Sequence, residues 1–257
     1  MNEVLTIFKP EGQTPLELIQ HFQKKFPQYL HEKISVAGRL DPMASGLLIL
    51  LVGEANKKRG YYQSLDKIYT FTLLTGIATD TYDILGKITS VTKTPLTLSS
   101  EKINSILPNF VRTFEQAYPP YSSMHVRGKP LFYWARRQEL SDITIPTKTI
   151  TIHRLTTTSS FEITSTQLIN EVKKRIRKVN GDFRQVEIGK SWQEAQSVLP
   201  HRLSLFSFNA QVSSGTYIRS LCHELGQTIG CMGIAYKIER TSCGKFSLKD
   251  AIRLDDK

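Results

Sequence analysis

A single carboxylate in a tight turn is the first candidate for chemistry in this sequence. Asp41 lies in the segment 38–46 (Gly-Arg-Leu-Asp-Pro-Met-Ala-Ser-Gly), and an apolar run at 47–52 follows directly. That run is too short to span a membrane and has the length of a buried strand, so Asp41 is expected on a stiff loop anchored to the core. Asp-Pro is also a common turn dipeptide, and the local pattern by itself favours a turn or cap role over catalysis.

An arginine near the start of a predicted helix is the second candidate. Apolar residues recur at helical spacing from Ile218 to Ile229, and Gly230 ends the pattern. The helix dipole favours anions in the first turn, so a cation there, Arg219, indicates a partner carboxylate. Tyr217 lies beside it at the predicted mouth of the helix.

The elements that must position these residues mix strands with helices and indicate an α+β layer architecture. A capping box at Thr14 and Glu17 begins the first helix, and Pro27 ends it. The remaining patterns predict a turn at 79–86 and a capping role for Ser99. Strands are predicted at 4–8, 47–52, 67–74, 87–91 and 203–212, and helices at 15–26, 54–65, about 100–107 and 218–229.

Composition favours a cytosolic protein with a polyanionic partner. The chain has 257 residues, 40% of them hydrophobic and 22% charged, which is ordinary for a soluble globular protein. Its 34 Lys and Arg against 23 Asp and Glu give a net charge of +11, which favours nucleic acid ahead of a membrane surface. A generally basic soluble enzyme is the alternative. No apolar run reaches spanning length, and the N-terminus lacks a basic leader with an apolar stretch behind it.

The cysteines indicate neither zinc nor a disulfide framework. Cys222, Cys231 and Cys243 form no CxxC pair and no ligand spacing with histidine. We therefore expect buried or inert thiols and no metal site.

Two segments stand out by composition. Residues 118–137 interleave aromatic with basic side chains, as the recognition of single-stranded or looped RNA requires, although an amphipathic helix after a Pro-Pro turn fits almost equally well. Residues 165–199 are predicted to be a helical insertion between two strands. The basic run at 173–178 within it favours a solvated helix face over phosphate contact.

Taken in order, these signals resemble the bacterial tRNA pseudouridine synthase TruB family. The resemblance is collinear from about residue 9 to about residue 251. The motifs that carry it are Lys9-Pro10-x-Gly12, Gly38-x-Leu40-Asp41-Pro42-x-Ala44-x-Gly46-Leu47-Leu48, Gly53-Glu54-Ala55-x-Lys57, Lys67-x-Tyr69, Thr79-Asp80-Thr81-x-Asp83-x-x-Gly86, Gly128-Lys129-x-Leu131 and Gly215-Thr216-Tyr217-Ile218-Arg219.

The resemblance implies a pseudouridine synthase fold of the α+β class, a mixed, mainly antiparallel sheet flanked by helices. It implies a single catalytic domain over 1–257, with an RNA-binding, thumb-like segment at about 118–147 and the basic insertion at about 165–199. From the resemblance we expect a chain without the usual C-terminal RNA-binding domain of the family. The implied partner is the T arm of tRNA. The protein is expected to be a monomer in the cytoplasm, and the resemblance implies no cofactor, metal or membrane.

The activity implied is isomerisation of the T-loop uridine of tRNA, at position 55, to pseudouridine. Asp41 takes the place of the family's essential aspartate, Tyr69 of the tyrosine that stacks on the flipped base, and Arg219 of the arginine that pairs with the aspartate. Asp83 resembles the acidic member of the same network. For substrate binding, the implied residues are Tyr217, Lys9, Lys129 and Arg127, and for Lys9 a structural role is the alternative.

One departure from the family pattern bears on the substrate. Val36 stands where the family usually has a histidine that engages the everted RNA loop. It slightly favours an alternative, a non-catalytic RNA-binding protein or tRNA chaperone on the same scaffold, while the retention of Asp41, Tyr69, Asp83 and Arg219 argues against that alternative. A pseudouridine synthase with another RNA target is a further alternative.

Overall fold

The computed structural model describes residues 1–92 and 98–254. The strands are β1 Asn2–Lys9, β2 Ile34–Ala37, β3 Ala44–Gly53, β4 Lys67–Thr75, β5 Ile77–Thr79, β6 Ile88–Val91, β7 Thr113–Ala117, β8 His125–Val126, β9 Lys129–Pro130, β10 Thr147–Thr164, β11 Arg202–Val212, β12 Gly233–Cys243 and β13 Phe246–Ser247. The α-helices are α1 Pro15–Lys25, α2 Arg59–Ser64, α3 Ser100–Ile106, α4 Leu131–Arg136, α5 Ser165–Ile176, α6 Gln185–Glu194 and α7 Ile218–Thr228.

A nine-stranded sheet runs through the described residues. Its main path follows the order β1-β3-β12-β4-β11-β10-β7, with β2 paired to β3 and β13 paired to β12. All of its pairings are antiparallel except that of β12 with β3, which is parallel. The sheet is therefore mixed and mainly antiparallel, and the predicted α+β fold class is confirmed.

The apolar run behind Asp41 forms the centre of the core. Every residue of β3 except Gly53 is buried. Successive side chains of a strand point to opposite faces, so Leu48 and Leu50 join one apolar cluster while Leu47 and Ile49 join the other. A strand buried on both faces gives a continuous apolar sequence instead of an alternating one, as seen here.

Most predicted elements are present, with some corrections. The capping box of Thr14 and Glu17 is formed, and Ser99 caps α3. The helix expected over 54–65 is divided into a 3₁₀ helix, Glu54–Lys58, and the short α2. The turn expected over 79–86 begins as strand β5. All three cysteines are free and buried, as predicted.

The segment 118–137 and the insertion differ in part from expectation. The single amphipathic helix offered as one reading of 118–137 is wrong, because a β8–β9 hairpin occupies its middle and only α4 is helical. Two helices, α5 and α6, fill the insertion between β10 and β11. The solvated face predicted for 173–178 is wrong for Arg175, which is buried and donates a hydrogen bond to the carbonyl of Tyr236. Among the described residues, none of the helices combines the length and hydropathy that crossing a bilayer requires.

Candidate active site

The loop that carries Asp41 is fixed by β12, a strand that the sequence patterns did not predict. Arg240 of β12 is 1% exposed, and its guanidinium donates to the carbonyls of Leu47 (2.8 Å) and Gly38 (3.1 Å) at the two ends of the loop. Gly46 has φ +115°, and a Cβ there would lie 2.3 Å from the Arg240 carbonyl oxygen. Glycine is therefore required where the loop enters β3 beside β12.

Lys9 lies beneath the same loop. Its side chain is fully buried, and its ammonium donates to the carbonyls of Pro10 (2.9 Å) and Pro42 (3.5 Å). Burial removes water from the ammonium and lowers the pKa of Lys9 to about 8. This position supports the loop from within and favours the structural role over substrate contact, the two roles that the sequence left open for Lys9.

Asp41 and Arg219 form a two-point ion pair. The Arg219 Nε donates to Asp41 Oδ2 at 2.8 Å, and Nη2 donates to Oδ1 at 3.2 Å. The arginine side chain is 3% exposed, whereas the Asp41 side chain is 39% exposed. Two parallel hydrogen bonds fix the plane of a carboxylate as well as its position, so Asp41 faces solvent in a defined orientation. The partner carboxylate expected for a cation at the start of α7 is present.

The remaining donors of Arg219 contact the backbone of two other segments. Nη1 donates to the carbonyl of Thr81 at 2.8 Å, and Nη2 also donates to the carbonyl of Tyr121 at 3.2 Å. Each of the three guanidinium nitrogens therefore donates at least one hydrogen bond, which holds this buried group in one orientation. Arg219 therefore joins the Asp41 loop, the 79–86 turn and the start of the segment 118–147.

Asp83 is the second carboxylate beside Arg219, and it is buried. Its Oδ2 lies 3.7 Å from Arg219 Nε, while its Oδ1 accepts hydrogen bonds from Thr81 Oγ1 (2.7 Å) and the Leu85 amide (2.8 Å). Burial raises the pKa of Asp83 to about 6, outweighing the opposite effect of Arg219 and of the Thr81 hydrogen bond. The two carboxylates therefore differ in environment, Asp41 open to a cleft and Asp83 enclosed.

Asp41 opens into a cleft of about 720 Å³. Tyr69 of β4 and Tyr217 line this cleft together with Asp41 and Arg219. The Tyr217 amide donates to Gln116 Oε1 at 2.8 Å, and its ring packs edge-on against Tyr118 with centroids 5.4 Å apart. Burial, followed by the nearby Asp41 charge, raises the pKa of Tyr217 to about 12, so this phenol remains neutral at physiological pH.

The two other residues predicted to bind substrate lie on an exposed hairpin. Arg127 and Gly128 form the two-residue turn between β8 and β9, both with positive φ (49° and 76°). Lys129 follows, with its ammonium 5.4 Å from the centroid of the Tyr133 ring. Both cations are exposed, and neither is among the residues that line the cleft.

Sequence reasoning missed Arg240, and it missed the role of Arg184. Arg184 Nη1 donates to Asp80 Oδ2 at 2.6 Å, and its guanidinium lies 4.1 Å from the centroid of the Tyr121 ring. Asp80 is next to Thr81, so Arg184 contacts both segments whose carbonyls hold Arg219. Residues 233–243 do not alternate apolar with polar side chains, and 104 residues separate Arg184 from Asp80, so neither arginine has a local signal.

Comparison with known proteins decides the family. The profile of the TruB family pseudouridylate synthase (N terminal domain) matches residues 25–176. The chain belongs to this family. The tRNA pseudouridine synthase B of Clostridium kluyveri is 32% identical over 99% of this chain and 72% of its own length. The corresponding protein of Lactococcus lactis is 28% identical over 100% of this chain and 66% of its own length, so the chain spans about two thirds of that relative.

Solved structures show the same fold at lower identity. A Cbf5-Nop10-Gar1 complex contains a chain that is 18% identical, with a TM-score of 0.59 over 98% of this chain and 52% of that chain. An H/ACA RNP bound to a substrate RNA containing 2'-deoxyuridine contains one at 18% identity, with a TM-score of 0.56 over 97% of this chain and 50% of that chain. At these identities the likeness establishes the fold of this TruB family member.

Within this TruB family chain, the position of the usual family histidine is part of the core. Val36 of β2 is 7% exposed and lies opposite Leu50 of β3. A valine there has no polar atom on its side chain to offer to RNA. Val36 is not among the residues that line the cleft.

Proposed function

We propose that this protein isomerises the uridine at position 55 in the T loop of tRNA to pseudouridine. The observation that carries the proposal is the orientation of Asp41, a partly exposed carboxylate held at two points by a buried arginine at the edge of a cleft that Tyr69 lines. Membership of the TruB family supports the same activity. The protein acts as a cytoplasmic monomer and needs neither cofactor nor metal.

The reaction requires one bond to break and one to form. The N1–C1′ glycosidic bond of the target uridine is cleaved, the uracil rotates, C5 bonds to C1′, and the proton on C5 is released while N1 gains one. The product is an isomer of the substrate, so the balance needs no oxidant, reductant or group donor. Asp41 assists by attack or by removal of a sugar proton.

The cleft can receive a uracil base that has left the base stack of its RNA loop. A uridine in a folded loop is reached only after it leaves the stack, and an aromatic ring receives its exposed face. We assign that contact to Tyr69, with Tyr217 closing the pocket on the side of Arg219. The exposed cations Arg127 and Lys129 are assigned to the phosphate backbone of the T arm.

The test is a reaction with nothing added but RNA. Purified protein is incubated with an unmodified tRNA transcript, and pseudouridine is mapped at nucleotide resolution. We expect product at position 55. Product at a different position would establish another RNA target, and binding of the transcript without any product would favour the non-catalytic alternative.

A further inference from the structure

The loop 180–184, the last part of the connection between α5 and α6, places an aromatic ring in the cleft of Asp41. Phe183 is 37% exposed and lines that cleft. Single exposed apolar side chains are ordinary on protein surfaces, so exposure alone indicates nothing. The position of this ring in a polar cleft and the way its loop is held are more informative.

Arg184 fixes the loop on one side of Phe183. Its guanidinium donates to Asp80 at 2.6 and 3.3 Å and stacks 4.1 Å from the centroid of the Tyr121 ring. Its backbone has φ 60°, a left-handed conformation that is uncommon for a residue with a side chain. The contacts with Asp80 and Tyr121 offset this conformational cost.

Other contacts fix the loop on the opposite side. Asp182 accepts hydrogen bonds from Arg136 of α4 at its carboxylate (3.0 Å) and its carbonyl (2.7 Å). Asn180 donates to Glu17 of α1 at 3.0 Å. The residues flanking Phe183 are therefore tied to α1, α4 and the 79–86 turn, and the ring between them is held at the cleft.

The surroundings of the ring match an unpaired nucleobase. Cationic side chains line the same cleft, among them Arg39, Arg59 and Lys148, and Phe132 of α4, 41% exposed, is a second aromatic residue there. Aromatic faces with cations nearby are the usual surface for single-stranded or looped RNA. Phosphates alone would be bound by cations without the aromatic rings.

We propose that Phe183 is a stacking platform for an unpaired nucleobase of the RNA, so that the loop 180–184 forms a substrate-binding wall of the cleft. The base is one next to the target in the loop, since Tyr69 takes the target itself. This proposal rests on the proposed function in one respect, that the cleft receives RNA. It adds a substrate contact from the insertion 165–199.

The experiment measures affinity for two RNA probes, a T-arm stem-loop transcript and a fully paired duplex of the same length. We expect Phe183→Ala to bind the stem-loop about 10-fold more weakly and the duplex as the wild type does, because stacking needs an unpaired base. Phe183→Trp keeps wild-type affinity for the stem-loop, whereas Phe183→Leu, apolar but not aromatic, behaves like the alanine variant. Phe161→Ala is the matched control, a 46% exposed phenylalanine on β10 outside the cleft, and changes neither affinity.

Other outcomes would overturn the stacking role, the proposed activity or both. Wild-type affinity of Phe183→Leu for the stem-loop, or equal losses of Phe183→Ala on both probes, would overturn the stacking role. Wild-type protein that binds neither probe would overturn both the stacking role and the proposed function. If Phe183→Ala bound the stem-loop more weakly but the wild type formed no pseudouridine, the loop 180–184 would be supported as an RNA-binding wall. The proposed isomerase activity would then be overturned.

Discussion

The inner site and the outer walls of the cleft are built in different ways. We use "inner site" for Asp41, Asp83 and Arg219, and "outer walls" for the β8–β9 hairpin and the loop 180–184. In the inner site, charged groups are buried or half-buried and are held by backbone carbonyls and amides. In the outer walls, Arg127, Lys129 and Phe183 are exposed and lie on or next to turns, whereas the side chain of Arg184 is largely buried.

The difference separates chemistry from substrate binding. A reacting group must be held in one orientation, which requires buried partners that cannot rearrange. A surface for a long, flexible polyanion needs charge and flat rings at the surface, where the cost of desolvation is small. Changes in the inner site should therefore affect kcat, and changes in the outer walls should affect affinity.

Replacement of the carboxylate in the inner site should have the largest effect. Asp41→Asn keeps the shape of the side chain and removes the carboxylate that we propose acts on the uridine, so we expect kcat to fall about 10³-fold or more. Its affinity for tRNA should stay close to that of the wild type, because the outer walls are unchanged. Single-turnover assays and a binding titration measure the two quantities. Turnover by Asp41→Asn at more than a tenth of the wild-type rate would remove Asp41 from the chemistry.

Arg184 tests whether an outer wall also positions the inner site. It holds Asp80 and Tyr121, whose segments supply the carbonyl acceptors of Arg219, so Arg184→Ala should lower kcat about 10-fold through a shift of the Arg219–Asp41 pair. Arg184→Lys should not restore kcat, because an ammonium cannot make two-point contact with Asp80 and stack on Tyr121 at once.

The control for Arg184 is another paired arginine outside the cleft. Arg202 contacts Glu162 at 3.2 Å with 61% of its side chain exposed, and Arg202→Ala should leave kcat unchanged. A loss of affinity without any loss of kcat in Arg184→Ala would restrict Arg184 to the outer wall.

Titration of Asp83 should separate activity from stability in the inner site. The pKa of Asp83 is raised to about 6, above its ordinary value of 3.8, because burial penalises the charged form. As pH falls through 6, Asp83 becomes neutral, its attraction to Arg219 is lost, and kcat should decline. The same protonation favours the folded protein: the stability from neutral Asp83 is complete below pH 3.8 and is lost as pH rises through 6.

The measurement is a pH profile of kcat alongside the melting temperature. Between pH 7 and 5 we expect kcat to fall with an apparent pKa near 6. The protonation of Asp83 over the same range should not lower the melting temperature, because it favours the folded protein. Asp83→Asn, which cannot ionise, should have lower kcat than the wild type at pH 7 and should lack this acid limb. An unchanged limb in Asp83→Asn would assign the titration to another group.

Some of the elements that position the inner site can be predicted from local sequence patterns, and others cannot. Strand β3, the capping box at Thr14 and the cation at the start of α7 follow from local patterns, since each depends on residues within a few positions of one another. Strand β12 was missed, and with it Arg240. Its place between β3 and β4 depends on pairing with segments far away in the chain, which no local pattern records.

Residue type alone does not separate a buried cation from an exposed one. Lys9 and Arg127 were both predicted to bind substrate, yet the first is fully buried under the Asp41 loop and the second is at the tip of a hairpin. Both residues carry a positive charge. The environment of Lys9 is set by its place at the end of β1 in the sheet, and that of Arg127 by a two-residue turn at the surface. Substrate contact could be predicted for the hairpin only once its exposure was known.

The smallest effect is expected from the hairpin cations. Each phosphate contact releases counterions, so Arg127→Ala and Lys129→Ala should each weaken tRNA binding a few-fold and reduce the slope of log affinity against log salt concentration by about 0.7–0.9. Lys190→Ala is the control, because that lysine is 76% exposed on α6 and lies near Glu194. Titrations at several salt concentrations give the slopes. If both hairpin variants kept the wild-type slope while kcat fell, the hairpin would act in the inner site, and the division between chemistry and binding would be wrong at this point.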